Sequence, residues 1–361
     1  MDAGGLGHDP SVNAGASEDE YMSPPSGGRR EAPTMHEPFA VRPILVTGGA
    51  GFVGSTFVSQ LLAEGRQVIV YDDLFTGREP PPAPGLTVVL GDIRDGERLA
   101  AVVREHRPEA VYHLAALHFI PYCNSHPVAT MEVNVVGTQA VLESCRDSGV
   151  QRLVFASSAA VYGIAARPHG EDEAPDPLDI YGLSKFLGEQ QVAAFHRATG
   201  LPCVVARFFN IYGPGETNPH IIPEIFRQLA EGQQTLALGN LTPRRDLIHV
   251  TDVARALRCF LEGEPSPYAV FNVGTGRAVS MAEVLAVLED VLGERIVVTQ
   301  DPERMRPVDC PHLQADISRI QEAFAWQPQV TLEEGLRDLA DAVLRRERVS
   351  PGVESVVGRH A

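Results

Sequence analysis

"ILVTGGAGFVG", residues 44–54, decides the fold. "ILVT" is a short apolar strand; Gly48, Gly51 and Gly54 follow directly, and a helical stretch, "STFVSQLLAEG", runs on to a stop at Gly65. Glycines between a strand and a helix let the backbone turn tightly and approach a pyrophosphate, whose charge then meets the helix N-terminus. Asp72 ends the next strand, "QVIVYDD". An acid there bonds both ribose hydroxyls and repels a 2′-phosphate, which favours NAD over NADP. Asp92 ends the third strand, "LTVVLGD", where it is placed to cap an adenine edge.

From this turn outward, apolar strands alternate with helices. "AVYHLAA", "RLVFASS" and "PCVVARFFN" read as further strands, with helices over "ERLAAVVREH", about 127–148, and "YGLSKFLGEQQVAAFHRATG" between them. Such alternation implies βαβ crossovers and a parallel sheet, and near-continuous apolar strands imply a sheet covered on both faces. The predicted class is α/β, a Rossmann-type doubly wound sheet with a smaller mixed α/β substrate-binding lobe. Residues 40–210 are assigned to the dinucleotide domain, with 235–263 returning to it, and residues 211–234 and 264–348 to the lobe. Residues 1–38, rich in Gly, Pro, Ser, Asp and Glu, bury too little apolar surface to offset ordering and are expected to form a disordered tail. Residues 349–361 are expected to be flexible.

Composition narrows the function. A formal charge of −17 over 361 residues argues against nucleic acid, which is held by clustered Lys and Arg. Five cysteines without a CxxC pair predict free thiols in a reducing, cytoplasmic compartment and no zinc site. No apolar run approaches the ~18 residues of a membrane helix, and the N-terminus lacks a secretory pattern.

Lys185 is the only lysine among 30 Lys and Arg residues, and it stands four places after Tyr181 on a predicted helix, so the two share a face. A tyrosine is a poor base at neutral pH. Lowering its pKa by three pH units needs roughly 4 kcal/mol, which an ammonium at about 4 Å supplies at an effective dielectric near 20. An ammonium is also compact enough to bond a phenol and a ribose together, unlike a planar guanidinium. Ser157 and Ser158 end the preceding strand and face the same crevice, where a hydroxyl can hold a substrate hydroxyl against the tyrosine.

Together, "TGGAGFVG", "YDDLFTG", "GDIRD", "HLAAL", "NVVGT", "FASSAAVYG", "YGLSK", "RFFNIYGPG", "RRDLIHV", "FNVGTG" and "RPVDCPHLQAD" resemble the extended short-chain dehydrogenase/reductases. The resemblance runs from about residue 43 to 345 and is closest to the UDP-glucose 4-epimerase-like branch of the NAD-dependent epimerase/dehydratases. It implies Ser158, Tyr181 and Lys185 as the catalytic triad. It places NAD on Gly48, Gly51, Phe52, Val53 and Gly54 at the pyrophosphate, and on Asp72, Asp73, Leu74, Thr76 and Gly77 around the adenosine ribose. Asp92 and Ile93 fall at the adenine, Leu114, Ala115, Ala116, His118 and Asn134 line the cofactor, and Phe209 takes the nicotinamide side. For the nucleotide-sugar substrate, a UDP-sugar, it implies Asn210, His220, Ile221, Arg245, Arg306 and Asp309, with Leu313 at the position that gates sugar size. Related 4,6-dehydratases carry an acidic pair where this chain has Ala159 and Ala160, so epimerisation is favoured.

The expected reaction is inversion at C4 of a UDP-hexose, UDP-N-acetylhexosamine or UDP-hexuronate through a 4-keto intermediate. The same residues also suit a nucleotide-sugar 4-ketoreductase or a UDP-glucuronate-processing enzyme, and a non-catalytic nucleotide sensor is the reading from another class. His118 stands where such epimerases often have Lys, and Leu247 where they often have an aromatic residue. The helices over about 127–148 and 181–199 are expected to pair with their copies in a homodimer through a four-helix bundle.

Overall fold

The structure is a computed structural model and describes residues 42–263, 267–304 and 310–349. The expectations for residues 1–38, for the end of the chain after 349, and for Arg306 and Asp309 lie outside the described residues.

In chain order, β1 (Ile44–Thr47), α1 (Phe52–Ala63), β2 (Val68–Asp72), β3 (Leu86–Leu90), α2 (Gly96–His106) and β4 (Ala110–His113) form the first half of the sheet and its crossovers. Then come α3 (Ile120–Ser125), α4 (Pro127–Met131), a π-turn (Glu132–Gly137), α5 (Thr138–Cys145), β5 (Arg152–Ser158), α6 (Ile180–Thr199) and β6 (Cys203–Phe208). The rest comprises β7 (Asn210–Tyr212), α7 (Ile221–Ala230), β8 (Thr235–Leu238), β9 (Arg244–His249), α8 (Val250–Glu262) and β10 (Tyr268–Val273). It closes with β11 (Ala278–Ser280), α9 (Met281–Leu292), β12 (Val297–Gln300), β13 (His312–Leu313), α10 (Ser318–Phe324) and α11 (Leu332–Val349).

Seven parallel strands form the main sheet in the order β10-β6-β5-β4-β1-β2-β3. The order reverses beside β1, whose two neighbours are β2 and β4, and a crevice opens at such a switch point. Period-two side chains explain the double covering: Ile44, Val46, Val68 and Val70 enter one core, while Leu45, Ile69 and Tyr71 enter the other. A third core gathers Tyr212, Phe226, Leu238, Met281, Leu288 and Leu336 among the later helices and the short strands β8 and β11.

One segment differs from the sequence reading. Tyr268–Val273, assigned with the lobe, pairs with β6 along its whole length as the sheet's edge. Phe271 stacks on Phe260 of α8, and burial of that apolar face draws the strand to the sheet. The long helix expected over about 127–148 is interrupted by the π-turn, with consequences for Asn134 below.

Candidate active site

A cavity of about 1150 Å³ runs from the end of β1 and β2, past β5 and α6, to β9 and α7. Its first wall is the glycine turn. Gly48 has φ +73°, and a Cβ there would lie 2.5 Å from the Ala115 backbone nitrogen. A Cβ on Gly54 would lie 2.1 Å from the Gly48 carbonyl oxygen, so the turn and helix α1 touch backbone to backbone. α1 begins at Gly51 without a side-chain cap and without an acidic residue in its first turn, leaving its first N–H groups for an anion. Asp72, buried, accepts from Ala50 N at 3.0 Å and Leu74 N at 2.8 Å, one bond on each oxygen. A carboxylate with two bonds keeps lone pairs for a diol. A cradle that only glycine fits, an uncapped helix and this acid match a dinucleotide diphosphate and its ribose.

Most expected residues line this cavity: Gly48, Gly51, Phe52, Val53, Gly54, Asp72, Asp73, Thr76, Asp92, Ile93, Leu114, Ala115, Ala116, His118 and Phe209, with Ser158, Tyr181 and Lys185. Asn210, His220, Ile221, Arg245 and Leu313 line it as well. Three do not reach the wall. Leu74 packs against the core with φ +60°, and Gly77 lies under the glycine turn, its Cβ position 2.6 Å from Ala50 O. Asn134, aimed inward by the π-turn, exchanges two 2.8 Å bonds with the Leu117 backbone and donates to Ser184 Oγ at 2.9 Å. Ser184 Oγ in turn donates to Tyr181 O at 2.7 Å, so Asn134 ties the loop after β4 to the helix that carries the tyrosine.

Asp92 is engaged by Arg94, whose Nε donates to both its oxygens at 3.0 and 2.9 Å. That hydrogen bond holds the Asp92 carboxyl below its usual range. Arg94 also lines the cavity, as do Glu216 and Arg304, and none of the three stood out in the sequence, where Arg and Glu are frequent. Glu216 pairs with His220, and burial raises its carboxyl. Arg304 NH1 lies 2.8 Å from Glu224, which the Arg227 hydrogen bonds hold at about 2. Arg245 NH1 donates to Cys310 O at 2.6 Å.

His118 lines the cavity without carrying a charge into it. Its Nε2 accepts from Asn218 Nδ2 at 2.7 Å, and burial holds the imidazole down at about 4, neutral.

Tyr181 and Lys185 occupy successive turns of α6. Lys185 is 4% exposed, its Nζ donates to Ala156 O at 2.8 Å, and it stands 5.9 Å from the Tyr181 ring centre. Burial draws the ammonium down to about 8. The phenol faces Ser158, whose hydrogen bond favours the ionised form, yet burial outweighs it and the pKa is raised. This corrects the sequence reading that the lysine by itself makes the phenol a ready base: burial outweighs the favourable bond from Ser158, and the lysine's own bond goes to Ala156 O.

A glycine crevice at a switch point, with Ser, Tyr and Lys at its lip, defines an extended short-chain dehydrogenase/reductase. The chain belongs to the NAD dependent epimerase/dehydratase family, whose model matches residues 44–274. It is 34% identical over 307 residues to a UDP-glucose 4-epimerase of Azospirillum brasilense, covering 79% of this chain and 87% of that one. Its fold is similar to that of a Thermus thermophilus UDP-glucose 4-epimerase in complex with NAD (TM-score 0.76, 34% identity, 83% of this chain and 98% of that chain). MoeE5 in complex with UDP-glucuronic acid and NAD is similar at TM-score 0.76 and 34% identity, over 84% of this chain and 99% of that chain.

Proposed function

We propose that this chain is an NAD-dependent 4-epimerase of a nucleotide sugar, with a UDP-hexose as the first substrate to test. The observation that carries the reading is the meeting of Ser158, Tyr181 and Lys185 on the wall of one cavity that also takes in the glycine cradle, Arg245 and Leu313. Bound NAD would accept the C4 hydride and return it, and its positive ring would add charge beside the phenol.

Tyr181 Oη takes the C4 hydroxyl proton and gives it back, as a general base and then acid. Ser158 holds that hydroxyl against the phenol, and Lys185 favours the phenolate. Arg245 offers a guanidinium to the diphosphate, which anchors the nucleotide while the keto sugar presents its other face. Ala159 and Ala160 follow Ser158 on the cavity wall and supply no acid or base for loss of water, which speaks against dehydration.

Incubation with UDP-, dTDP- and GDP-sugars, followed by NMR at C4, tests this reading. The expected result is equilibration of C4 epimers with no net consumption of reduced cofactor. Stoichiometric NADPH oxidation with a 4-keto sugar would instead make the protein a ketoreductase.

The reading includes a homodimer. Val128 and Val136 are 70% and 58% exposed, and Leu183 and Leu187 are 37% and 36% exposed, on segments that pack side by side. Four large apolar groups on adjoining helices suit burial against a second copy. Val136→Glu with Leu187→Glu is expected to halve the mass in sedimentation, and a wild-type monomer would refute the dimer.

A further inference from the structure

Helix α6 leans on the end of β5 so that each helical turn meets one strand residue. Tyr181 faces Ser158, Lys185 Nζ donates to Ala156 O at 2.8 Å, and Glu189 accepts from Ser157 Oγ at 2.5 Å. Residues four apart share a helix face, so these three side chains form one inward row. The first two line the cavity of the proposed proton transfer, and the third does not. Glu189 is 2% exposed and is gripped by Arg207 of β6, through Nε at 2.8 Å and NH2 at 2.7 Å. Arg207 is 4% exposed and pairs in register with Ser157. Burying such a pair costs desolvation that apolar side chains avoid, and replacing it by apolar groups is often neutral or stabilising. Its position, one turn below the lysine, suggests what it is for.

We propose that Glu189 is a positioning residue for the proton-transfer site: its charge keeps Lys185 an ammonium, and its bond to Ser157 sets the strand end that carries Ser158. The inference rests on Tyr181 as the base. Lys185 is surrounded by Tyr181 and Glu189 of its own helix, Cys123 of α3, His113 of β4 and His118 of the following loop, with Arg207 of β6 behind Glu189. Burial holds both imidazoles neutral and raises the Cys123 thiol. Glu189, held as an ion pair, is therefore the carboxylate in this ring of groups. Burial pulls the lysine down to about 8, opposed first by Cys123 and then by Glu189; the Cys123 thiol is pushed up by its own burial, and Glu189 is ion-paired with Arg207.

The direction of the effect follows. Lys185 assists while protonated, so a lower lysine pKa means that the ammonium is lost at lower pH. The alkaline limb of kcat then moves to lower pH. A purely structural role would lower activity equally at every pH.

Because Lys185 is the only lysine of the chain, 13C at lysine Cε gives a single NMR resonance whose titration reads this group directly, without substrate. In the full chain, Glu189→Gln is expected to lower the Lys185 midpoint by at least about one pH unit, a tenfold loss of ammonium above it. Ser157→Ala, which keeps the charge, is expected to leave the midpoint in place. Glu189→Gln leaves Arg207 unpaired and can fail to fold, so the double variant with Arg207→Gln, free of lone charges, is read as well and is expected to lower the midpoint too. An unchanged midpoint in the folded variants overturns the proposal, as does collapse of both, which would make the pair structural. Failure of the base reading shows elsewhere, as undiminished turnover by Tyr181→Phe, and leaves this titration interpretable.

Discussion

Tyr181→Phe is expected to lower kcat for C4 epimerisation by about 10³-fold, while the purified protein keeps its NAD. General acid–base groups contribute typically 10²–10⁴-fold, and in the proposed mechanism one phenol serves in both directions of the reaction. The substitution removes one oxygen and leaves the ring. That ring lies 5.9 Å from Lys185 Nζ, and the lysine's own bond goes to Ala156 O, so neither contact depends on the hydroxyl. Cofactor retention should likewise survive, because the glycine turn and Asp72 lie on β1, α1 and β2. The measurement is NMR of the C4 epimers at saturating substrate, with bound NAD quantified by absorbance after denaturation. Turnover within tenfold of the parent would remove Tyr181 from the proton path and with it the proposed mechanism. Loss of NAD along with activity would point to a damaged site rather than a missing base.

The expected size of this effect depends on a feature that sequence spacing alone did not reveal. Four places on a helix brought Tyr181 and Lys185 to one face, as read. Spacing does not report how deeply the two are enclosed, and burial sets the sign here: it raises the phenol and lowers the ammonium together. In the proposed mechanism, positive charge brought into the crevice by bound NAD would favour the phenolate.

Other parts divide along the same line. The β1–turn–α1 unit was legible because strand, glycines and helix are contiguous, and Asp72 because it ends the next strand. Asn134 was placed at the cofactor by resemblance, whereas a π-turn rotates it toward Leu117 and Ser184, and nothing in "NVVGT" signals that turn. Asp92 was read as a ligand without its partner two residues on, Arg94, because a surface arginine looks the same whichever carboxylate it meets. Glu189, Arg207 and Ser157 come from three separate segments, and only the register of β5 on β6 brings them together. Contacts within one element are written in the sequence pattern; contacts across the sheet are set by register and packing.

Gly54→Ala should yield a protein isolated without NAD, with cofactor affinity reduced at least 100-fold, although alanine is the better helix former by about 1 kcal/mol. Gly54 sits in the first turn of α1, so propensity alone predicts a gain in stability. Space decides otherwise. The added Cβ would lie 2.1 Å from Gly48 O and 2.7 Å from Gly49 Cα, both backbone atoms that cannot swing aside as a side chain does. Helix and turn must part by about an ångström to reach ordinary contact, and the N–H groups of the α1 terminus then no longer converge with the turn on one diphosphate. Gly65→Ala makes the matched control. Gly65 has φ +76° and nothing within 4 Å of its Cβ position, so that substitution costs about 1–2 kcal/mol of backbone strain and leaves the cradle whole. Calorimetric titration with NAD and thermal unfolding of both variants separate strain from contact. The expected pattern is a lower Tm for each and lost binding for Gly54→Ala only; stoichiometric NAD in purified Gly54→Ala would mean that the close approach of α1 to the turn does not hold the cofactor.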